Sequence, residues 1–345
     1  MGTDRRAAWP VRGDGANRLK RSRHRRAWPP GLTARSGYPR DVPDPSSFPT
    51  AARDAILAWY EQHGRSLDFR RTADPYAVLV SEAMAQQTQA ARAAAAWVRF
   101  MDRFPTVEAL ASASTADVLR AWQGLGYNRR AVSLQRAARQ IVELHAGRVP
   151  ADIRSLEALP GVGSYTARAV AAIAFGRTIG AVDTNVRRVL GRIIVGDAGV
   201  IPAAELQRLA DGAVPPGRAA DWTHALMDVG AMVCGPRRTD CETCPARPWC
   251  AFAAEAPSRS AVGPAVTRRV PSPAFASTSR WLRGRIVDHL RASPDGAWTV
   301  VSGPIGEHDE AAVLAALAAL AEEGLIELAR SNATDRSRRA RLPLG

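Results

Sequence analysis

The only four cysteines of the chain, Cys234, Cys241, Cys244 and Cys250, fall within one 17-residue stretch as C-x6-C-x2-C-x5-C. So tight a cluster is a metal-binding device of a reducing interior, because a chain built for an oxidising compartment spreads its cysteines to staple distant elements. Zinc sites usually pair two C-x2-C knuckles. Only Cys241 and Cys244 make one here, so the spacing favours a cubane iron-sulfur cluster, with zinc as the alternative. A second device is Pro160-Gly161-Val162-Gly163 within LEALPGVGSYTARAV. Glycines let a backbone approach a ligand closely, and the N–H groups that open the next helix suit a phosphate. A DNA-backbone anchor is one reading and a plain helical corner the other. The third feature is an absence: of 47 basic side chains, 46 are Arg and one is Lys20, so no lysine Schiff base can form in the folded body.

These devices must be held by helices, and residues 47–233 are punctuated as consecutive short ones. Asp74 followed by Pro75 is an N-cap and first-turn proline opening a helix over Tyr76–Gln87. Thr88–Phe104 reads as the next, stopped by Pro105. Ser114 or Thr115 caps a third that ends at the Gly124–Gly126 turn. Arg129–His145 is closed by Gly147, Asp152 opens a fifth, and Gly163–Phe175 is a sixth ended by Gly176. The fold class expected is all-α.

Residues 255–279 read as a linker, rich in Pro, Ser, Ala and Arg. Beyond it, residues 280–345 make a small unit resembling a winged helix. It comprises a helix over Trp281–Leu290 with Leu282, Ile286 and Leu290 on one stripe, an Ala/Leu helix over Asp309–Glu323, a strand over Leu325–Leu328, and then Arg336, Arg338, Arg339 and Arg341.

Length and charge limit what the whole can be. At 345 residues the chain has room for two or three domains, and no apolar run reaches the roughly 18 residues that a membrane span needs. The net charge of +14 is uneven: residues 1–40 hold eleven basic and two acidic side chains, +9, which leaves +5 for the rest. A polyanion partner is suggested by the sign alone, no more. Residues 1–47, Arg-rich and without apolar periodicity, are expected to be a disordered tail; their composition also fits a transit peptide.

The hairpin LPGVGSYTARA, the downstream VDTNVRRV (182–189) and the cysteine spacing together resemble the helix-hairpin-helix DNA glycosylase superfamily. VSEAMAQQTQ (80–89) and GLGYNRRA (124–131) resemble its MutY branch, the adenine DNA glycosylases acting on adenine mispaired with 8-oxoguanine. The likeness spans about residues 50–252. It implies a two-lobed glycosylase fold over residues 48–254, with a six-helix lobe over about 76–187 and a cluster lobe made of about 48–75 and 188–254. It also implies a 4Fe-4S cluster on the four cysteines, and a monomer bound to double-stranded DNA containing a mispaired adenine. Cytoplasmic localisation, on the nucleoid if the source is bacterial, follows.

Cleaving an N-glycosidic bond builds positive charge on the sugar and negative charge on the departing base, so it needs an acid and a fixed anion. Glu82, mid-helix among Val78, Leu79, Val80 and Met84, is in a neighbourhood that keeps a carboxyl protonated, and the resemblance makes it the donor to adenine N7. Asp183 caps the helix that begins with Thr184, where a carboxylate stays ionised; the resemblance makes it the group that stabilises the sugar cation. Asn185 and Tyr165 are implied to position this pair. Tyr165 stands where endonuclease III relatives carry their Schiff-base lysine, which implies a monofunctional enzyme. Arg65 and Arg70 resemble active-site arginines, and Phe69 offers a ring face to the extruded base. Gln86, Gln87 and Tyr127 resemble residues that wedge into the duplex, and Gly161, Val162 and Gly163 hold a phosphate.

Several positions depart from the branch. Asp68 replaces a proline, Asn128 a second tyrosine and Thr184 a glycine, and residues after 255 leave no room for the Nudix-like domain by which many members read 8-oxoguanine. Two rivals keep most of these features: a thymine or uracil mismatch glycosylase of the same superfamily, and a non-catalytic iron-sulfur DNA-binding regulator.

Overall fold

The computed structural model describes residues 48–196, 201–254, 274–329 and 339–344; the expected tail and most of the expected linker lie outside them. In chain order the helices are α1 (Thr50–His63), α2 (Pro75–Ala85), α3 (Ala90–Arg103), α4 (Val107–Ser112), α5 (Thr115–Ala121), α6 (Arg129–His145), α7 (Ile153–Glu157), α8 (Ser164–Ile173), α9 (Thr184–Ile194), α10 (Ala203–Ala213), α11 (Ala219–Asp228), α12 (Ala251–Ala254), α13 (Ser279–Arg291) and α14 (Glu310–Glu322). Side-chain caps start several of them: Asp74, Thr106, Ser114, Asp152 and Asp183 each accept from the backbone N–H three residues on.

Two apolar cores organise the chain. The first gathers α2 to α8 around Trp122, Phe100, Leu79 and Met84. The second gathers α1, α9, α10 and α11 around Trp222, Ile56 and Leu190. Helix α8 belongs to both, with Ala167, Ala169, Val170 and Ala171 in the first and Ala172 in the second. Alanines on different faces of one short helix let neighbouring helices approach it from both sides, while the hairpin at its N-terminus packs on the first core through Leu156, Leu159 and Val162.

The segment between α2 and α3 differs from the sequence expectation. Helix α2 stops at Ala85, because Gln86 is extended and Gln87 turns left-handed with φ of +54°, and α3 starts only at Ala90. Gln86 to Gln89 therefore form a loop rather than helix, with Gln87 and Gln89 exposed.

At the C-terminus, α13 and α14 pack on a three-stranded antiparallel sheet in the order β1 (Thr299–Val300), β3 (Arg339–Arg341), β2 (Glu327–Leu328). Only Glu327 and Leu328 of the expected strand pair, and the sheet adds two strands that the pattern did not mark. Of the Arg-rich end, Arg336 and Arg338 lie outside the described residues, while Arg339–Arg341 supply the sheet's centre, where buried Ala340 faces the core and Arg341 pairs with Glu327. This unit rests on α5: the N–H of Ala116 donates to the Pro343 carbonyl at 2.8 Å, and Arg291 Nε donates to the Leu119 carbonyl at 2.9 Å. Among the described residues no helix is long and apolar enough to cross a membrane.

Candidate active site

Helix α2 carries Glu82 into the first core, where the residue is 9 % exposed. Burial pushes its carboxyl up to about 7; the Tyr165 hydroxyl, hydrogen-bonded to it, and Arg70 pull the other way, while nearby Asp183 adds to the rise. Tyr165 is the second residue of α8, and burial raises its phenol well above the ordinary value, so it stays a neutral donor.

Asp183 caps α9 from the second core. Its Oδ1 accepts from the Val186 N–H at 2.7 Å and its Oδ2 from the Asn185 side-chain amide at 3.1 Å. Both oxygens are thus occupied by N–H donors. The site thus sets two carboxyl groups near enough to act on each other, Glu82 buried toward neutrality and Asp183 accepting from two N–H groups.

Asn185 is itself fixed from behind. Arg188 donates through Nη2 to Asn185 Oδ1 at 2.8 Å and to the Gly230 carbonyl at 2.6 Å, and through Nε to the Cys234 carbonyl at 2.6 Å. A Cβ on Gly230 would meet the Asn185 Cβ at 2.6 Å, so this turn must be glycine for Asn185 to sit where it does. The turn is a π-helical one, Val229–Val233, leading straight into Cys234. Gly230 carries no motif that marks it in the sequence; Arg188 lies within VDTNVRRV, three residues from Asn185 on one helix face, but is not singled out there.

Arg65 and Arg70 face inward. Arg70 binds Asp228 with both terminal nitrogens at 2.8 Å, and Arg65 binds it through Nε at 2.7 Å and its backbone N–H at 2.8 Å. The side chain of Asp228 is fully buried and those of Arg65 and Arg70 are 31 % and 7 % exposed. Burial alone would raise the Asp228 carboxyl, but the hydrogen bonds and charge of the two arginines hold it below its usual range. Arg70 reaches Glu82 through its field, not by contact. Asp228 is absent from the residues expected at the site from sequence; a lone carboxylate in the apolar run ALMDVGAMV was its signal. Phe69, half-buried, meets Trp97 edge-on at 6.5 Å.

Gln87 and Tyr127 are two of the three non-glycine residues with positive φ among those described, at +54° and +46°, and both are exposed. Such backbone costs roughly 1–3 kcal/mol per residue and persists only where its surroundings impose it. Arg130 imposes it. Its guanidinium donates to the carbonyls of Ala83 (2.9 Å), Met84 (3.1 Å) and Gln86, to Thr88 Oγ1 (3.2 Å), and to the carbonyls of Leu125 (3.0 Å) and Gly126 (3.2 Å). One side chain so buttons both loops together. Gln86 instead points inward, its amide 3.3 Å from Thr166 Oγ1.

In the hairpin, Gly161 has φ of +79° and a Cβ there would strike Ser133 at 2.7 Å. Gly163 is different: its backbone is extended, a Cβ would meet nothing within 4 Å, and α8 has no side-chain cap. Internal packing does not demand glycine at 163.

The four cysteines are half-buried and unpaired. Burial pushes the Cys244 thiol up to about 11, and the other three cysteines act on it electrostatically. Arg192 donates through Nη1 to Cys234 Sγ at 3.3 Å. Among the described residues no three metal-ligating side chains converge on one point as they would around a single ion.

Residues 80–215 match the profile of the HhH-GPD superfamily base excision DNA repair proteins. The chain is 46 % identical over 264 residues to the adenine DNA glycosylase of Mycobacterium tuberculosis, which covers 74 % of this chain and 84 % of that protein. It is 39 % identical over 277 residues to that of Mycolicibacterium smegmatis, covering 79 % and 91 %. Among solved structures, a thermostable thymine-DNA glycosylase superposes with a TM-score of 0.56 at 30 % identity, covering 59 % of this chain and 95 % of that one.

Proposed function

Because the chain belongs to the adenine DNA glycosylases of the HhH-GPD base excision repair superfamily, we propose that it hydrolyses the N-glycosidic bond of adenine mispaired with 8-oxoguanine or guanine in double-stranded DNA. It acts as a monomer in the compartment that holds the DNA, and it leaves an abasic site without cutting the strand.

The observation that carries this reading is the buried Glu82 carboxyl with the Tyr165 hydroxyl on it and Asp183 beside it. With the adenine turned out of the stack, Glu82 gives its proton to N7, and the bond from C1′ to N9 breaks with both electrons leaving on the base. Asp183 stabilises the cationic sugar, and a water completes the hydrolysis. Asn185 and Tyr165 hold the two carboxyl groups in place. Gln87 and Tyr127, already in strained backbone on either side of Arg130, fill the space the base vacates, Gln86 supports them from Thr166, and Phe69 supplies an aromatic wall for the base. Arg65 and Arg70 act as positioning residues through Asp228. Gly161, Val162 and Gly163 take a phosphate of the adenine strand.

Cys234, Cys241, Cys244 and Cys250 fit a 4Fe-4S cluster by donor type and spacing. When bound, the cluster supplies a rigid crosslink of the loop and no step of the bond cleavage. Purified protein that is brown with a broad visible band supports it; a colourless zinc protein overturns it.

Thymine excision is the competing reading that the 30 % identical thymine-DNA glycosylase favours. Pyrimidine release offers no N7 to protonate, so Glu82 argues for adenine. Duplexes with A opposite 8-oxoguanine, A opposite G and T opposite G separate the two, and cleavage of the last alone defeats the proposal. Borohydride trapping of a protein–DNA adduct defeats the monofunctional part.

A further inference from the structure

A cavity of about 1000 Å³ opens where the wedge residues Gln87 and Tyr127, the hairpin residues Gly161 and Val162, and the C-terminal helix α13 face one another; Glu82 and Asp183 do not line it. It is therefore a surface additional to the nucleoside site, and the C-terminal unit forms one of its walls.

Its charge is lopsided. Arg92 from α3, Arg129 from α6 and Arg280 from α13 are exposed around it, and among the described residues none of the three lies within ion-pairing distance of a carboxylate. By contrast Arg283 and Arg285, on the same helix, are already paired with Glu323 and Asp288. Arg280 is placed with particular care. Its guanidinium lies over the Tyr127 ring at 4.9 Å and over the exposed Phe275 ring at 4.8 Å, and it donates to the Tyr127 hydroxyl. At the other end of α13, Arg291 is almost fully buried and donates to the Asn128 side chain at 2.7 Å. Two consecutive residues of one strained loop are thus held by opposite ends of one helix, and the asparagine that departs from the branch pattern is the one that receives Arg291.

We propose that the C-terminal unit is part of the duplex-binding surface. Arg280 grips the phosphate backbone beside Tyr127, together with Arg92 and Arg129 across the cavity, and exchanges its bond to the tyrosine hydroxyl for a phosphate oxygen as that tyrosine enters the DNA. The occupant is duplex DNA because three separated cations with no ion-pair partner among the described residues match a repeating anion, and the exposed aromatic faces beside them match bases. This rests on the proposed function for the identity of the DNA, not for the existence of the surface.

The test is equilibrium binding of the full chain to an undamaged DNA duplex across a salt titration. A side chain that no longer neutralises its phosphate lowers the slope of log affinity against log salt by about 0.9. Arg280→Gln is expected to lower the slope by about 1 and the affinity at low salt about tenfold, and Arg280→Lys to restore most of the slope, since a point charge serves a phosphate. A second variant is independent of the Tyr127 contact. Gly284 lines the same cavity on α13 and a Cβ there meets nothing within 4 Å, so Gly284→Glu adds a negative charge at a position with room for a side chain to begin. It is expected to weaken duplex binding about tenfold. Wild-type slopes for Arg280→Gln and wild-type affinity for Gly284→Glu, in proteins that melt normally, overturn the proposal. Wild-type protein that removes no adenine while these variants still lose DNA would sink the assigned activity and leave this surface standing.

Discussion

At the scale of single residues, Glu82 carries opposed consequences for catalysis and for stability. Its carboxyl, pushed to about 7 by burial, is protonated below that pH and can serve as an acid. Single-turnover adenine release should therefore be flat at acid pH and fall about tenfold per pH unit above about 7, and Glu82→Gln should lower it by roughly 10²-fold or more while DNA binding persists. A rate that rises through pH 7 would assign the proton elsewhere. The same group burdens the fold. The folded state holds its proton up to about pH 7, whereas the unfolded chain releases it near 4.5, so the stability it allows is complete below 4.5 and is lost as pH rises through 7. That is worth on the order of 3 kcal/mol. Glu82→Gln, which cannot ionise, should raise the melting temperature at pH 8 and leave it nearly unchanged at pH 5.

At the scale of elements, the hairpin glycines separate packing from ligand contact. Gly161→Ala puts a methyl 2.7 Å from Ser133 at a left-handed backbone position and should cost stability and DNA affinity together; Gly163→Ala meets open space and should cost mainly affinity. Thermal melts beside duplex titrations check both. Arg130→Met should strip the carbonyls of two loops of their donors at a cost of roughly 3–5 kcal/mol, and a melt unchanged from wild type would show that the loops hold themselves. The helices were legible in the sequence wherever their signals are local: Asp74-Pro75, Ser114 and Asp152 each announce a start within one turn. The wedge loop was legible as a motif but not as a shape, because the positive φ of Gln87 is imposed by Arg130 from 43 positions away. Asp228 was illegible for a similar reason, its partners Arg65 and Arg70 lying about 160 residues upstream. The C-terminal sheet escaped because strands of two or three residues carry no period to read; long-range pairing alone defines them.

At the scale of the whole molecule, the candidate site draws Glu82 from the helices of one core and Asp183 from those of the other, so their relation depends on what joins the cores. That joint is α8, whose successive alanines, Ala171 and Ala172, are built into different cores. A hinge between the lobes would have to pull one of those faces away from its neighbours. The consequence is thermodynamic: heat should melt residues 48–254 as a single cooperative block, with calorimetric and van't Hoff enthalpies in agreement, and a protease should find no half-unfolded intermediate to trap.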